Sequence, residues 1–66
     1  MIIKKTKELE KGDVYRVLGD RYYKIMGKFK ADDGSYYLII KTELNSNEKW
    51  TLRNISEDAE WEVINN

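Results

Sequence analysis

Apolar and polar side chains alternate with a period of two along much of this chain, as they do in half-buried β-strands. No stretch places apolar residues at the i, i+3, i+4 and i+7 spacing of an amphipathic helix. Short polar or glycine-containing segments separate the alternating runs: Lys11-Gly12-Asp13, Gly19-Asp20, Asp32-Asp33-Gly34-Ser35 and Asn45-Ser46-Asn47. The pattern therefore predicts an all-β fold.

The turn residues divide the chain into five predicted strands: 14–18, 21–30, 36–41, 49–53 and 61–64. Gly19-Asp20 is predicted to be a two-residue type II′ hairpin turn, because glycine tolerates a positive φ at the first central position. Gly27 lies inside the second strand and predicts a β-bulge. Ser56 is predicted to be the N-cap of a short helical turn, 56–59, just before the last strand.

Two segments resemble parts of the Src-homology-3-like barrel. ELEKGDVYRVL, residues 8–18, is similar to the segment that leads into the second strand of that family. EKWTLRNISEDAEWEVI, residues 48–64, is similar to its last two strands with a helical turn between them. The resemblance implies a small five-stranded SH3-like barrel with one short helical turn before the last strand. It also implies a binding role, because bacterial and viral members mostly bind proteins or nucleic acids.

The groove with which eukaryotic members bind proline-rich peptides is not matched. No aromatic residue precedes Tyr15, and the two tryptophans are not adjacent. Recognition of a proline-rich peptide is therefore not expected.

Length and composition limit the possible chemistry. The 66 residues are expected to form a single domain, 1–66, which at this size hides only about 60% of the surface of its unfolded chain. There is no cysteine and no histidine, which excludes disulfides, thiolate metal sites and imidazole-based triads. We therefore expect no enzyme, no cofactor and no metal. No apolar run approaches the roughly 20 residues of a membrane helix, so a cytoplasmic protein without a membrane partner is expected.

Alternation within each strand assigns the side chains to two faces. The predicted core comprises Leu9, Val17, Ile25, Phe29, Leu38, Ile40, Leu52, Ile55, Trp61 and Val63, with Trp50 partly buried. Tyr22 and Tyr37 are left as candidates for exposure, with Tyr15 or Tyr36 as further candidates.

A first candidate binding patch combines exposed rings with cations: Tyr22, Tyr37, Arg16, Arg21 and Lys24. Tyr beside Arg is typical of a protein-binding hot spot. It is also typical of a base-stacking groove, and simple cross-strand packing gives the same pattern. Protein is favoured over nucleic acid, because the net charge is zero and the pI is about 6.2.

A second candidate is the acidic stretch that contains Glu57, Asp58 and Glu60. Residues 1–30 carry nine Lys/Arg and four Asp/Glu, a net charge of +5, whereas residues 31–66 carry three and eight, a net charge of −5. Either the strands of the two halves interleave and mix these charges, or the surface is bipolar and steers charged partners.

The sequence thus favours a small non-catalytic protein-binding module, an inhibitor or accessory factor that occupies the surface of a partner protein. Its richness in Lys, Ile, Asn and Tyr is typical of an AT-rich bacterial or phage gene. The alternative is a nucleic-acid-binding barrel that uses the Tyr/Arg/Lys patch. A homodimer is compatible with either.

Overall fold

Six strands and one 3₁₀ turn make up the fold in the computed structural model, which describes residues 2–42 and 47–64. In chain order the elements are β1 (Ile2–Lys5), the 3₁₀ turn (Thr6–Glu8), β2 (Val14–Val17), β3 (Arg21–Lys30), β4 (Tyr36–Lys41), β5 (Lys49–Ile55) and β6 (Glu60–Ile64). The all-β prediction is confirmed, since the described residues contain no α-helix. Asn45 and Ser46 of the predicted polar loop lie outside the described residues.

The strands form one antiparallel sheet in the order β1-β6-β2-β3-β4-β5. The sheet is open, with β1 and β5 at its edges, so the predicted five-stranded closed barrel is wrong. The additional strand is β1, which pairs with β6 from Ile2↔Val63 to Lys5↔Glu60. Four residues give little alternation to detect, and the partner of this strand lies at the far end of the sequence.

The predicted helical turn at 56–59 is a simple turn. The hydroxyl of Ser56 accepts a hydrogen bond from the backbone N–H of Asp58 at 3.2 Å, as an N-cap would. The N–H of Ala59 donates to the carbonyl of Ser56 at 3.1 Å. No helix follows because β6 begins at Glu60.

The connection between β2 and β3 is one residue longer than predicted. Val17 pairs with Arg21, which leaves Leu18, Gly19 and Asp20 in the loop. Both Gly19 and Asp20 have positive φ, 82° and 57°, whereas a type II′ turn needs only the first. Asp tolerates this left-handed conformation better than most residues do.

The predicted bulge at Gly27 is confirmed. The register between β3 and β4 passes from Ile25↔Ile40 directly to Gly27↔Ile39. The side chains that follow therefore change face relative to those before it. Phe29, predicted to be in the core beside Ile25, lies on the outward face instead and is 46% exposed.

The core lies on one face of the sheet, which we call the inward face; the opposite face is the outward face. Its buried apolar residues are Leu9, Tyr15, Ile25, Leu38, Ile40 and Val63, with Val17, Tyr23, Leu52 and Trp61 packed against them. Except for Tyr15 and Tyr23, these residues were all predicted to be core.

The other errors concern large side chains. Tyr15, a candidate for exposure, is only 3% exposed, and its ring makes edge contacts with Tyr23 and Trp61 at centroid distances of 5.6 and 4.9 Å. Trp50 is 56% exposed on the edge strand β5, and Ile55 is half-buried. The exposure of Trp50 and of Ile55 follows from their position on an edge strand, because β5 has a neighbouring strand on one side only.

Thr6 is a buried polar residue that joins three elements. Its hydroxyl accepts a hydrogen bond from Nε1 of Trp61 at 2.8 Å, and its N–H donates to the carbonyl of Ala59 at 2.9 Å. Nζ of Lys28 donates to the carbonyls of Thr6 and Lys7 at 3.4 and 2.8 Å. These bonds fasten the 3₁₀ turn to β6 and β3.

Candidate interaction surface

Positive charge is concentrated on three adjacent strands. β3, β4 and β5 contain no Asp or Glu, and their Lys and Arg residues are Arg21, Lys24, Lys28, Lys30, Lys41, Lys49 and Arg53. Within the described strands, acidic residues occur only in β6, as Glu60 and Glu62. Basic and acidic residues therefore lie on different strands of the sheet. The net charges of the two halves of the sequence do not show this separation.

Three lysines lie directly opposite one another across these strands. Lys24 pairs with Lys41, and Lys41 pairs with Lys49. We call these residues the lysine row. No acid within residues 2–42 and 47–64 forms an ion pair with any of the three. Because like charges directly opposite each other are destabilising, the row lowers the stability of the free protein.

An aromatic pair, exposed Phe29 and half-buried Tyr37, lies on the same outward face. Phe29 and Tyr37 are cross-strand partners, and their rings stack at a centroid distance of 5.1 Å and an angle of 21°. The Phe29 ring leans over Gly27, since a Cβ built on that glycine would come within 3.1 Å of the ring. The ring thus points along β3 towards the lysine row. The register between β4 and β5 passes from Leu38↔Leu52 to Tyr36↔Ile55, so the exposed Arg53 and its neighbour Asn54 both lie opposite Tyr37.

We define the outward surface by six residues from the three strands. They are Lys24, Lys41, Lys49, Phe29, Tyr37 and Arg53. Between the lysine row and the aromatic pair lie Gly27, Ile39 and Thr51, which are paired across the same strands. The outward surface therefore presents cations at one end, a stacked ring pair with an arginine at the other, and Gly27, Ile39 and Thr51 between them.

The predicted Tyr/Arg/Lys patch is not contiguous in the structure. Arg16 and Tyr22 are directly opposite each other, and Lys24 follows on the same face. Arg21 is opposite Val17, so alternation places it on the other face. Tyr37 is paired with Phe29, roughly 20 Å along β3 from Tyr22 at about 3.3 Å per residue.

The charge of Arg16 is offset by two carboxylates. Its guanidinium lies 3.1 Å from Asp20 and 3.8 Å from Glu62. A shallow cleft of about 530 Å³ lies beside it and is also lined by the loop residues Leu18 and Gly19. Since its charges pair internally, this cleft is a weaker site for a charged partner than the lysine row.

The acidic stretch lies against the basic start of the chain. The Asp58 carboxylate is 3.8 Å from Nζ of Lys5 and 3.4 Å from Nζ of Lys7. Glu60 is the cross-strand partner of Lys5, and the carbonyl of Glu57 accepts a hydrogen bond from the N–H of Lys7. The two halves therefore interleave, because β6 lies between β1 and β2.

Four residues of the outward surface are absent from the predicted Tyr/Arg/Lys patch: Phe29, Lys41, Lys49 and Arg53. The bulge at Gly27 was the available signal for Phe29, since it reverses the face of every later residue in β3. Alternation in β5 places Lys49 and Arg53 together, but only the register with β4 shows that Lys49 faces Lys41.

No protein-family model matches the chain, and no curated protein or solved structure is significantly similar to it. In the part of the chain that the structure describes, no group of three or more Asp or Glu side chains is placed to hold a metal ion. Within that same part, no helix is long and apolar enough to cross a membrane.

Lys41→Glu is expected to raise the free energy of unfolding by up to about 1 kcal/mol, because it replaces two repulsive cross-strand pairs by two attractive ones. Urea unfolding at low salt measures this gain, which should shrink as added salt screens the charges. Lys11→Glu, an equal charge change at an exposed turn residue, is the control. A loss of stability in Lys41→Glu alone would contradict the repulsion within the lysine row.

Proposed function

We propose that this protein is a small non-catalytic binding module that recognises a negatively charged macromolecule through the outward surface. It acts by occupying the surface of its partner, as an inhibitor or accessory factor does. The observation that carries the proposal is the lysine row, Lys24, Lys41 and Lys49, which meets no acid among the described residues. An anionic partner would relieve the repulsion that the row imposes on the free protein.

Rings and an arginine beside the cations support the same proposal. Phe29 exposes 46% of its surface next to Tyr37, and apolar ring surface gains most from being covered by a partner. The resemblance of residues 8–18 and 48–64 to the SH3-like superfamily, whose bacterial and viral members bind proteins or nucleic acids, agrees with a binding role. Either an acidic protein surface or a nucleic acid would supply the negative charge.

The experiment uses immobilised heparin as a generic polyanion at low salt. The wild-type protein is expected to be retained although its net charge is zero. The double variant Lys24→Gln/Lys41→Gln should elute at clearly lower salt, because it removes two of the three cations in the lysine row.

The matched control is Lys5→Gln/Lys7→Gln, which removes the same charge from lysines that are paired with Asp58. Its elution should stay close to that of the wild type. Equal loss of retention in both double variants would show that retention follows net charge, and the proposal would then be wrong. Failure of the wild type to bind heparin at all would overturn it as well.

A further inference from the structure

We infer that the ligand of the outward surface is a single-stranded nucleic acid, an inference that rests on the function proposed above. Two independent features of the surface point to it: the arrangement of its cations and the position of its rings. Both features belong to β3, β4 and β5, which contain no acidic residue.

The cations form a track that crosses the strands. Neighbouring strands are about 4.8 Å apart, so the lysine row spans roughly 10 Å at the level of the backbone. Lysine side chains are flexible point charges and bind successive phosphates without demanding a fixed geometry. Arg53 extends the positive charge to the other end of the surface.

The rings give the surface a place for bases. Phe29 leans over Gly27 towards the lysine row while it stacks on Tyr37. A base that stacks on the exposed part of this pair would have its phosphates within reach of the cations. Base–aromatic stacking beside a groove of cations is the arrangement with which proteins bind single strands.

The middle of the surface favours a nucleic acid over an acidic protein. A protein hot spot centres on a large side chain that fills a pocket and is sealed from water by its neighbours. Here the centre is Gly27, Ile39 and Thr51, and of these only Ile39 is a large apolar residue. The centre is therefore shallow, which suits flat bases better than protruding anchors.

Fluorescence anisotropy tests the inference with three labelled probes: a single-stranded oligonucleotide of about 12 nucleotides, its duplex and polyglutamate. The single strand should bind most tightly. Each cation that contacts a phosphate of a single strand contributes about −0.7 to the slope of the logarithm of the association constant against the logarithm of the salt concentration. The four cations of the surface therefore predict a slope near −3. Lys41→Gln should make that slope shallower by about 0.7.

Ring variants separate stacking from charge. Phe29→Leu and Tyr37→Leu keep an apolar side chain and the full charge. Each should weaken binding of the single strand about tenfold and weaken binding of polyglutamate, which has no bases to stack, much less. Circular dichroism shows whether each variant is folded. If one of the two variants does not fold, the other still tests the role of the rings. Arg21→Gln, on the other face of β3, is the control and should bind like the wild type.

The outcomes distinguish this inference from the proposed function. If polyglutamate binds as tightly as the single strand and the ring variants have no effect, the ligand class is wrong while the anion-binding function stands. Tighter binding of the duplex would likewise overturn the inference, because paired bases cannot stack on the rings. If no probe binds and heparin does not retain the protein, both fail.

Discussion

Thr6→Val is expected to lower the free energy of unfolding by about 2 kcal/mol, although the two side chains have nearly the same shape. Thr6 is fully buried, and its hydroxyl is the acceptor for Nε1–H of Trp61 at 2.8 Å. Valine leaves that part-buried donor without its partner. Because the chain is short, such a loss should reduce the melting temperature by roughly 10 °C.

Two further variants isolate the hydrogen bond. Thr6→Ser keeps the hydroxyl and loses only a methyl group, so it should cost about 1 kcal/mol. In the Trp61→Phe background the donor is already gone, and Thr6→Val should then cost much less than in the wild type. This double-mutant cycle measures the coupling directly. If Thr6→Val costs the same in both backgrounds, the bond does not contribute to stability.

The second large effect is the loss of stability at alkaline pH caused by Tyr15. Burial raises the pKa of this phenol from 10.0 to about 12, with a smaller contribution from the negative charge of Tyr23. The folded state thus favours the neutral phenol more strongly than the unfolded state does. The resulting stabilisation is complete below pH 10 and is lost as the pH rises through 12. The difference of about two units corresponds to about 3 kcal/mol.

Urea unfolding between pH 8 and pH 12, followed by tyrosinate absorbance and circular dichroism, tests this expectation. Tyr15→Phe has no phenol at the buried position, so its stability should fall less steeply above pH 10. Tyr22→Phe, on the outward face of the same sheet, controls for the removal of a phenol in general. Parallel pH profiles for the wild type and Tyr15→Phe would contradict the assignment.

The β2–β5 part of the fold could largely be predicted from the sequence, because its strands are neighbours along the chain and each is bounded by local signals. Gly27 was identified as a bulge from its position inside a hydrophobic strand. Alternation that continues unchanged through the bulge places Phe29 in the core, whereas the structure places it on the outward face. A bulge adds one unpaired residue, so the faces must be reassigned after it.

The edges of the sheet could not be predicted in the same way. Closure of a barrel depends on whether the two edge strands meet, which is decided by the coiling of the whole sheet and has no local sequence signal. β1 is short and pairs only with residues at the other end of the sequence. The pattern of neighbouring residues carries no signal of such long-range pairing.

The types of residue in the candidate site could be predicted from the sequence, but their arrangement on the sheet could not. Exposed rings beside cations were expected, and Lys24 and Tyr37 do lie on the outward surface. The lysine row itself depends on two registers, one of which is set across residues 42–48 between β4 and β5. Composition and spacing alone do not show that register, so they could not bring Lys49 opposite Lys41.

The position of β6 between β1 and β2 also sets an order of events during synthesis. The ribosome makes β1 before the other described strands, yet in the described sheet its only hydrogen-bonded neighbour is β6, which follows all of them in the sequence. The meander from β2 to β5 can pair as it emerges, whereas Ile2–Lys5 has no strand to join until residues 60–64 have left the ribosome. β1 therefore stays unpaired while β2 to β5 are made, and a single late step adds both β6 and β1 to the sheet.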